Sequence, residues 1–383
     1  MSRRTTKLLR KVMIILLIIK AYNSIRNRRY LCRPGVQVPS LSPWANLINN
    51  GDAMSFLEMT GFTFSSFRLL VRDLFFDEIN DELDRINSNA SRKRGRPRSL
   101  DYIARTGLVL FFLNSTMGLK HLCLLFGVVP AVASVEINEM LVTVVTKLHD
   151  NQYARVRFPT LDECQDYAEL IRNREPIVTD CMGFLDGLRI SCKCSDDPVA
   201  QAVDYSGYAY DTTCNNVFLF LANGKIGWAA INCPGSWHDG WCSVQLQAMC
   251  ITLLLGLFKV CVDQGFPRSG DMFDIFVGKL TKKQWSTITP EYRPILKAKI
   301  DAYTSLRQAS EWGMRALQGS FTRLKSRLTS NKAVRKTIIT AVTLLHNYRT
   351  ELVGLNQIAT VFNPHYECFI NINGYDRIHR YFN

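Results

Sequence analysis

Polar and apolar residues alternate with two different periods along this 383-residue chain. From Ala53 to Asn87 the apolar positions recur at three and four (Phe56, Met59, Phe67, Leu70, Val71, Leu74, Phe75), which predicts amphipathic helix. Leu100 to Leu148 predicts three more helices. Asp101 is placed to cap the first; the second, Leu119 to Phe126, stops at Gly127; Pro130 opens the third, Ala131 to Leu148. Leu31 to Asn50 carries Pro34, Pro39 and Pro43 and reads as an extended linker. A boundary falls between Phe158 and Pro176. Beyond it the apolar runs shorten: Met182 to Cys194, Asn216 to Ala222 and Lys225 to Asn232 read as strands, the last two joined by the hairpin dipeptide Asn223-Gly224. Trp237 to Leu257 returns to helical spacing, Phe258 to Asp263 is a short buried strand, and Thr304 to Arg327 and Lys332 to Arg349 read as long helices.

Helix, Gly-containing turn, helix is the plan of a helix-turn-helix. The third helix opens with Ser134, Glu136 and Asn138 and no Lys or Arg, so a plain helical bundle stays an alternative. The later order, three strands, a helix, a strand and then helices, is RNase H-like. The predicted fold class is therefore α/β plus all-α, an N-terminal helical module followed by an RNase H-like nuclease domain. Its divisions are residues 1–50, a basic helix and linker; 51–160, the helical module; 175–350, the nuclease domain; and 351–383, a C-terminal tail.

At 47% hydrophobic and 21% charged the chain is of globular type. Its net charge of +14 changes the picture through its location. Residues 1–30 hold nine Lys or Arg and no acid, and residues 92–98 hold five more (Arg92, Lys93, Arg94, Arg96, Arg98); nine and five equal the whole excess. Such concentration calls for an anionic partner. Within Ser91 to Arg98, Arg94-Gly95-Arg96-Pro97 has the pattern of an AT-hook, whose arginines enter a narrow minor groove; a basic interdomain linker is the alternative. Val12 to Ile19 is an apolar run of eight between Lys11 and Lys20. It is too short to span a bilayer and lacks a small-residue cleavage site, so a buried or docking helix is expected and no membrane partner. Of twelve cysteines, only Cys192 and Cys194 are close together, and Cys181, Cys250 and Cys261 lie in apolar runs. Reduced thiols and a nuclear or cytoplasmic location are expected.

Three segments lead apolar residues up to an aspartate: Gly183-Phe184-Leu185-Asp186-Gly187, Pro234-Gly235-Ser236-Trp237-His238-Asp239, and Val260-Cys261-Val262-Asp263-Gln264-Gly265-Phe266. Buried strands present acids in this way at their ends. A fourth acid, Glu311, lies in the helical run Ser305 to Leu328. In an RNase H-like order the first strand, the end of the fourth strand and a later helix supply the acids, which assigns Asp186, Asp263 and Glu311 as catalytic. Gathered carboxylates repel one another unless a cation lies between them, and hard oxygen ligands favour magnesium or manganese. Asp239 reads equally as the N-cap of the helix it opens, and His238 as a positioning or core residue. Arg307, Arg315, Arg323 and Lys325 flank Glu311, either as a phosphate-binding face or as a solvated one.

These segments, with Arg307-Gln308-Ala309-Ser310-Glu311-Trp312, Arg323-Leu324-Lys325 and Leu345-His346-Asn347, resemble the DDE endonuclease domain of PIF/Harbinger transposases and of the nucleases derived from them. The resemblance covers about residues 175–350 and extends more weakly from about 55. It implies a nuclear metal-dependent DNA endonuclease or transposase. It adds Asp239 to Asp186, Asp263 and Glu311 as a metal ligand, and implies two Mg or Mn ions. Its implied partners are DNA, a Myb/SANT-like DNA-binding protein and further copies of the chain on DNA. Leu188 stands where the family pattern has a small polar residue. A domesticated DNA-binding protein with an idle nuclease is the alternative, and an interfacial membrane protein anchored by residues 7–22 a third reading.

Overall fold

The computed structural model describes residues 3–29, 31–87, 98–254, 256–268, 270–272 and 274–363. Its centre is a mixed sheet of six strands: β1 (Cys181–Ser191), β2 (Tyr205–Ser206), β3 (Asp211–Leu221), β4 (Ile226–Pro234), β5 (Lys259–Val262) and β6 (Phe276–Val277). β1 runs antiparallel to β3, and β3 antiparallel to β4; on its other side β1 pairs in parallel with β5, and β5 with β6. The two-residue β2 pairs with the start of β3. β3 is buried along almost its whole length, and β1 at seven of its eleven positions, as central strands covered on both faces are. The hairpin read at Asn223-Gly224 is present, with Gly224 at φ 80° and Asn223 Oδ1 accepting from Lys225 N.

Two apolar clusters flank the sheet. The smaller packs Leu185, Val217, Leu219 and Val260 against the helices Leu161–Arg174 and Val244–Leu254. The larger packs Phe184, Leu188, Ile190, Phe218 and Phe220 against the C-terminal helices and continues without interruption into the N-terminal helices. The helical module and the sheet region therefore share one core. The buried helix Lys332–Val353 joins them, its Tyr348 hydroxyl donating to Asp73 at 3.0 Å.

The three helices expected between Leu100 and Leu148 are Tyr102–Asn114, Leu119–Phe126 and Pro130–Leu148. Asp101 caps the first by accepting from Ala104 N, and Gly127 ends the second in the left-handed conformation. Glu136, in the third helix, is turned into the bundle and paired with Arg105 and Arg98.

Several expectations differ from the structure, among them the helix read from Trp237 to Leu257, which is Asp239–Cys242 and Val244–Leu254. Ala53 to Asn87 is two helices, Ala53–Thr60 and Phe64–Asn87, separated at Gly61 (φ 77°). The linker before them holds the helix Pro43–Asn50: Pro43 follows Ser42, whose hydroxyl caps the helix, so the proline starts a helix instead of preventing one. Its Trp44 is buried against Phe111 and Phe126. Thr304 to Arg327 is broken at Arg307 into Arg293–Leu306 and Gln308–Ser320, with a short turn of 3-10 helix at Thr322–Lys325. The segment after 350 is not all tail: Gln357–Phe362 is helical, and Phe362 stacks on Phe184.

Val12 to Ile19 lies within the helix Arg3–Arg29, and every one of these apolar side chains is exposed rather than buried. Among the described residues no single helix is long and apolar enough to cross a membrane. The eleven described cysteines are free thiols, eight of them buried, including Cys181, Cys250 and Cys261.

Candidate active site at the sheet edge

Asp186 sits on β1, two residues after Phe184 and on the same face as that core residue. Its Oδ1 accepts from Gly187 N at 2.8 Å, and its Oδ2 lies 3.1 Å from Ser310 Oγ on the helix Gln308–Ser320. β5 ends with Val262 opposite Leu185, so Asp263 leaves the sheet beside Asp186. Asp239 approaches β1 at Gly187. A Cβ on Gly187 would lie 2.5 Å from Asp239 Oδ2, so only glycine admits this carboxylate. Gly265 is near the same oxygen, its own would-be Cβ at 3.9 Å.

The electrostatics of the three aspartates are linked. Burial raises the Asp186 pKa above the ordinary carboxylate value, and the charge of Asp263 raises it further, against lowering by the Gly187 amide, Ser310 and Arg307. Burial likewise raises the Asp239 pKa; Arg189 lowers it, Asp263 raises it and His238 lowers it. Asp239 is the first residue of the short helix Asp239–Cys242, whose N-cap is His238, so it does not act as the N-cap. Gly235 serves the preceding turn, where it packs against the carbonyls of Asp204 and Thr213.

Glu311 is placed differently. It follows Ser310 on the helix that packs against β1, yet its own carboxylate is exposed and held by Arg307 Nη2 at 3.0 Å. Ser310, fully buried, is the residue of this helix that touches Asp186. No sequence signal distinguished it from any other serine beside an acid. Among the described residues no three His, Cys, Asp or Glu side chains are gathered closely enough to hold a metal ion. The donor chemistry of Asp186, Asp239 and Asp263 nonetheless fits a divalent cation: hard oxygen ligands, two of them taken out of water and pushed toward protonation beside a third.

The expected phosphate-binding cations divide. Arg92, Lys93, Arg94 and Arg96 lie outside the described residues. Arg98 is paired with Glu139 at 2.7 Å and Glu136 at 3.3 Å. Arg323 is turned inward: Nε donates to Phe112 O at 2.8 Å, Nη2 to Met117 O at 2.9 Å, and the guanidinium lies over the Phe112 ring. It clamps the helical module to the sheet region, because a guanidinium that enters a core must bond the carbonyls it meets there. Arg315 and Lys325 are exposed. Arg315 lines a cavity of about 700 Å³ with Trp312, Asn114 and Arg349.

His346 and Asn347, part of the C-terminal motif, lie away from the carboxylates. Asn347 accepts from Ile226 N and donates to Ile226 O, and His346 Nε2 lies 3.1 Å from Gly224 O. Burial holds the His346 pKa down at about 4, so it stays neutral.

Residues 185–347 match the family model described as DDE superfamily endonuclease. That span contains Asp186, Asp239, Asp263 and Glu311 and ends on Asn347. No curated protein matches the chain, and no solved structure does.

Proposed function

We propose that the chain is a metal-dependent DNA endonuclease of the Harbinger transposase type, with Asp186, Asp239, Asp263 and Glu311 holding the metal ions and Asp186, Asp263 and Glu311 catalytic. The observation that carries the reading is the placement of Asp186 on β1 beside the end of β5, which delivers Asp263, and beside Gly187, against which Asp239 lies, inside a span that matches DDE endonucleases. The strand order β4-β3-β1-β5-β6, antiparallel then parallel, supports an RNase H-like domain.

Two divalent ions, Mg or Mn, would polarise the phosphodiester and stabilise attacking and leaving oxygens. Asp186 is kept in place by the Gly187 amide and Ser310, and Gly187 leaves room for Asp239. Arg307 holds Glu311, and its charge also lowers the Asp186 pKa, so it would offset negative charge at the site. Exposed Arg315 and Lys325 bind the DNA backbone, with Arg92, Lys93, Arg94, Arg96 and Arg98 as the AT-hook-like segment. Breaking the Arg98 pairs to Glu136 and Glu139 is part of that role.

The helices Leu119–Phe126 and Pro130–Leu148 meet at 95°, within the ~90–120° range of a helix-turn-helix. This supports a DNA-binding module, completed by a Myb/SANT-like partner and by further copies of the chain on DNA, in the nucleus. A second reading, a domesticated DNA-binding protein with an idle nuclease, is favoured by the ion pair between Glu311 and Arg307 and by the absence of a closed ligand cluster among the described residues.

The full chain, incubated with supercoiled plasmid and Mg²⁺ or Mn²⁺, is expected to nick it. EDTA or Asp186→Asn should stop the nicking. Plasmid binding without nicking, unchanged in Asp186→Asn, would leave the idle-nuclease reading.

A further inference from the structure

Large aromatic side chains are unevenly placed on the surface. Tyr205, Tyr208, Tyr210, Trp237 and Trp241 are 43%, 84%, 84%, 48% and 69% exposed, five of the eight exposed aromatic residues among those described, and all lie within 37 positions. The fold brings their segments to one place. β2 pairs with the start of β3, so Tyr208 and Tyr210 occupy the turn between them. Tyr210 holds a positive φ of 51°, a conformation uncommon for a residue with a bulky side chain. The Arg189 guanidinium lies over the Tyr208 ring, 5.2 Å from its centroid. Arg189 Nε donates to Asn215 Oδ1, and Asn215 Nδ2 donates to Trp237 O at 2.5 Å. The turn that carries Trp237 is tied down again by Ser236, which donates to Val203 O.

This array borders the carboxylates. Arg189 is on β1, two residues past Gly187 and on the same face, and Asp239 lies against Gly187. Trp237 precedes Asp239 by two residues and Trp241 follows it by two. Tyr208, Tyr210 and Trp241 are left mostly to water, and Trp237 presents about half of its surface.

We propose that Tyr208, Trp237 and Trp241, with Arg189 between them and the carboxylates, form a stacking platform for unpaired bases of the DNA strand at this site. This rests on the nuclease reading and gives it a substrate class: DNA opened or single-stranded next to the bond that reacts. In a paired duplex the base faces are already stacked, and an aromatic ring has nothing to offer the phosphates outside. An unpaired base exposes both faces of its ring, and stacking on Tyr or Trp is tolerant of sequence. Arg189 adds a cation beside the rings, suited to the phosphate that follows such a base.

The test uses the full chain in EDTA, so that binding is read without cleavage. One probe is a 25-base-pair duplex ending in five unpaired nucleotides, one of them 2-aminopurine; the other is the same duplex fully paired. Wild type is expected to bind the open probe about ten-fold more tightly and to quench its 2-aminopurine. Tyr208→Leu and Trp237→Leu should each lose about ten-fold on the open probe and less than two-fold on the paired one, while Tyr208→Phe, which keeps the ring, binds as wild type. Circular dichroism melting checks that the leucine variants fold. Equal binding of both probes by wild type, or leucine variants that bind the open probe as wild type does, overturns the platform. Nicking in Mg²⁺ or Mn²⁺ is scored separately. Open-probe preference without nicking keeps the platform and overturns the nuclease reading, and nicking without preference does the reverse.

Discussion

Asp204 and Asp186 are acids drawn out of water by the same sheet, with opposite surroundings. Asp204 is 4% exposed, and the buried Arg335 donates to it at 2.9 Å while Lys332 approaches at 3.5 Å. Glu136 in the helical module is arranged likewise, 5% exposed and bonded by Arg105 at 2.6 Å. Asp186 receives a backbone amide and a serine hydroxyl but no direct ion pair; of its charged neighbours Arg307 has the larger effect and Asp263 the smaller, opposing one. Where an acid serves the fold, a cation is built in beside it. Around Asp186 and Asp239 the cations Arg307 and Arg189 act from further off and burial outweighs them, an arrangement that makes sense if a further cation arrives from solution.

The contrast breaks most visibly at Arg335. Arg335→Met should destabilise the protein by about 3 kcal/mol in urea unfolding, because Asp204 is left buried with only the half-exposed Lys332, 3.5 Å away, to offset its charge. Adding Asp204→Asn should recover much of that loss. If Arg335→Met costs less than ~1 kcal/mol, Asp204 is no better compensated than Asp186.

Removing Asp186 should do the reverse to stability. Asp186→Asn is expected to raise the melting temperature of the metal-free protein, as the desolvated charge is gone, and to lower cleavage by more than about 100-fold. Mg²⁺ at ~100 times its Kd should stabilise wild type by about 2.7 kcal/mol and the variant by much less. A variant that melts lower without metal would show Asp186 to be compensated after all.

Titration sharpens the same contrast. Raised pKa values at Asp186 and Asp239 mean that the folded state holds their protons more tightly than the unfolded one. Their contribution to stability is therefore fully present below the ordinary aspartate value of 3.8 and is lost as pH rises through the raised values. Glu163 runs the other way: Arg157 holds it down at about 2, so its stabilisation is present above its ordinary value of 4.5 and is lost as pH falls toward 2. In EDTA, the stability difference between Asp186→Asn and wild type should vanish below about pH 4 and grow toward neutrality. A pH-independent difference would remove desolvation as its cause.

The smallest effect belongs to Arg98, whose side chain is 52% exposed where it bridges Glu136 and Glu139. Arg98→Ala should cost no more than about 1 kcal/mol, since Arg105 still pairs with Glu136. A larger cost would make Arg98 part of the buried network.

Much of this was legible in the sequence. The three helices between Leu100 and Leu148 follow from Asp101, Gly127 and Pro130, and the β3–β4 hairpin from Asn223-Gly224, because caps and turns are local chemistry. Asp263 follows the end of β5, as an acid after an apolar run is expected to, whereas Asp186 lies in the middle of β1 instead of at a strand end. What stayed hidden depends on helix rotation and on long-range pairing. The break at Arg307 decides that Ser310 rather than Glu311 touches Asp186. Arg323 looked like a surface cation because the carbonyls it bonds, on Phe112 and Met117, are more than 200 residues away. Trp44 entered the core from a proline-rich stretch because Pro43 is tolerated in a first turn. The cation beside Asp204 could not be read at all, since Arg335 lies 131 positions further on.

The grip on the β3–β4 turn has a consequence for how the chain is made. Ile226 bonds through both its backbone groups to the Asn347 side chain, and Gly224 O is met by His346 and by Asn356, whose amide Nδ2 donates at 2.9 Å. During synthesis β1, β3 and β4 leave the ribosome well over a hundred residues before the side chains that lock their turn. Through that interval the sheet offers apolar faces and open backbone groups to whatever is near, the condition in which nascent chains aggregate or occupy chaperones. A chain stopped before His346 carries every aspartate of the site and lacks the side chains that fasten the β3–β4 turn.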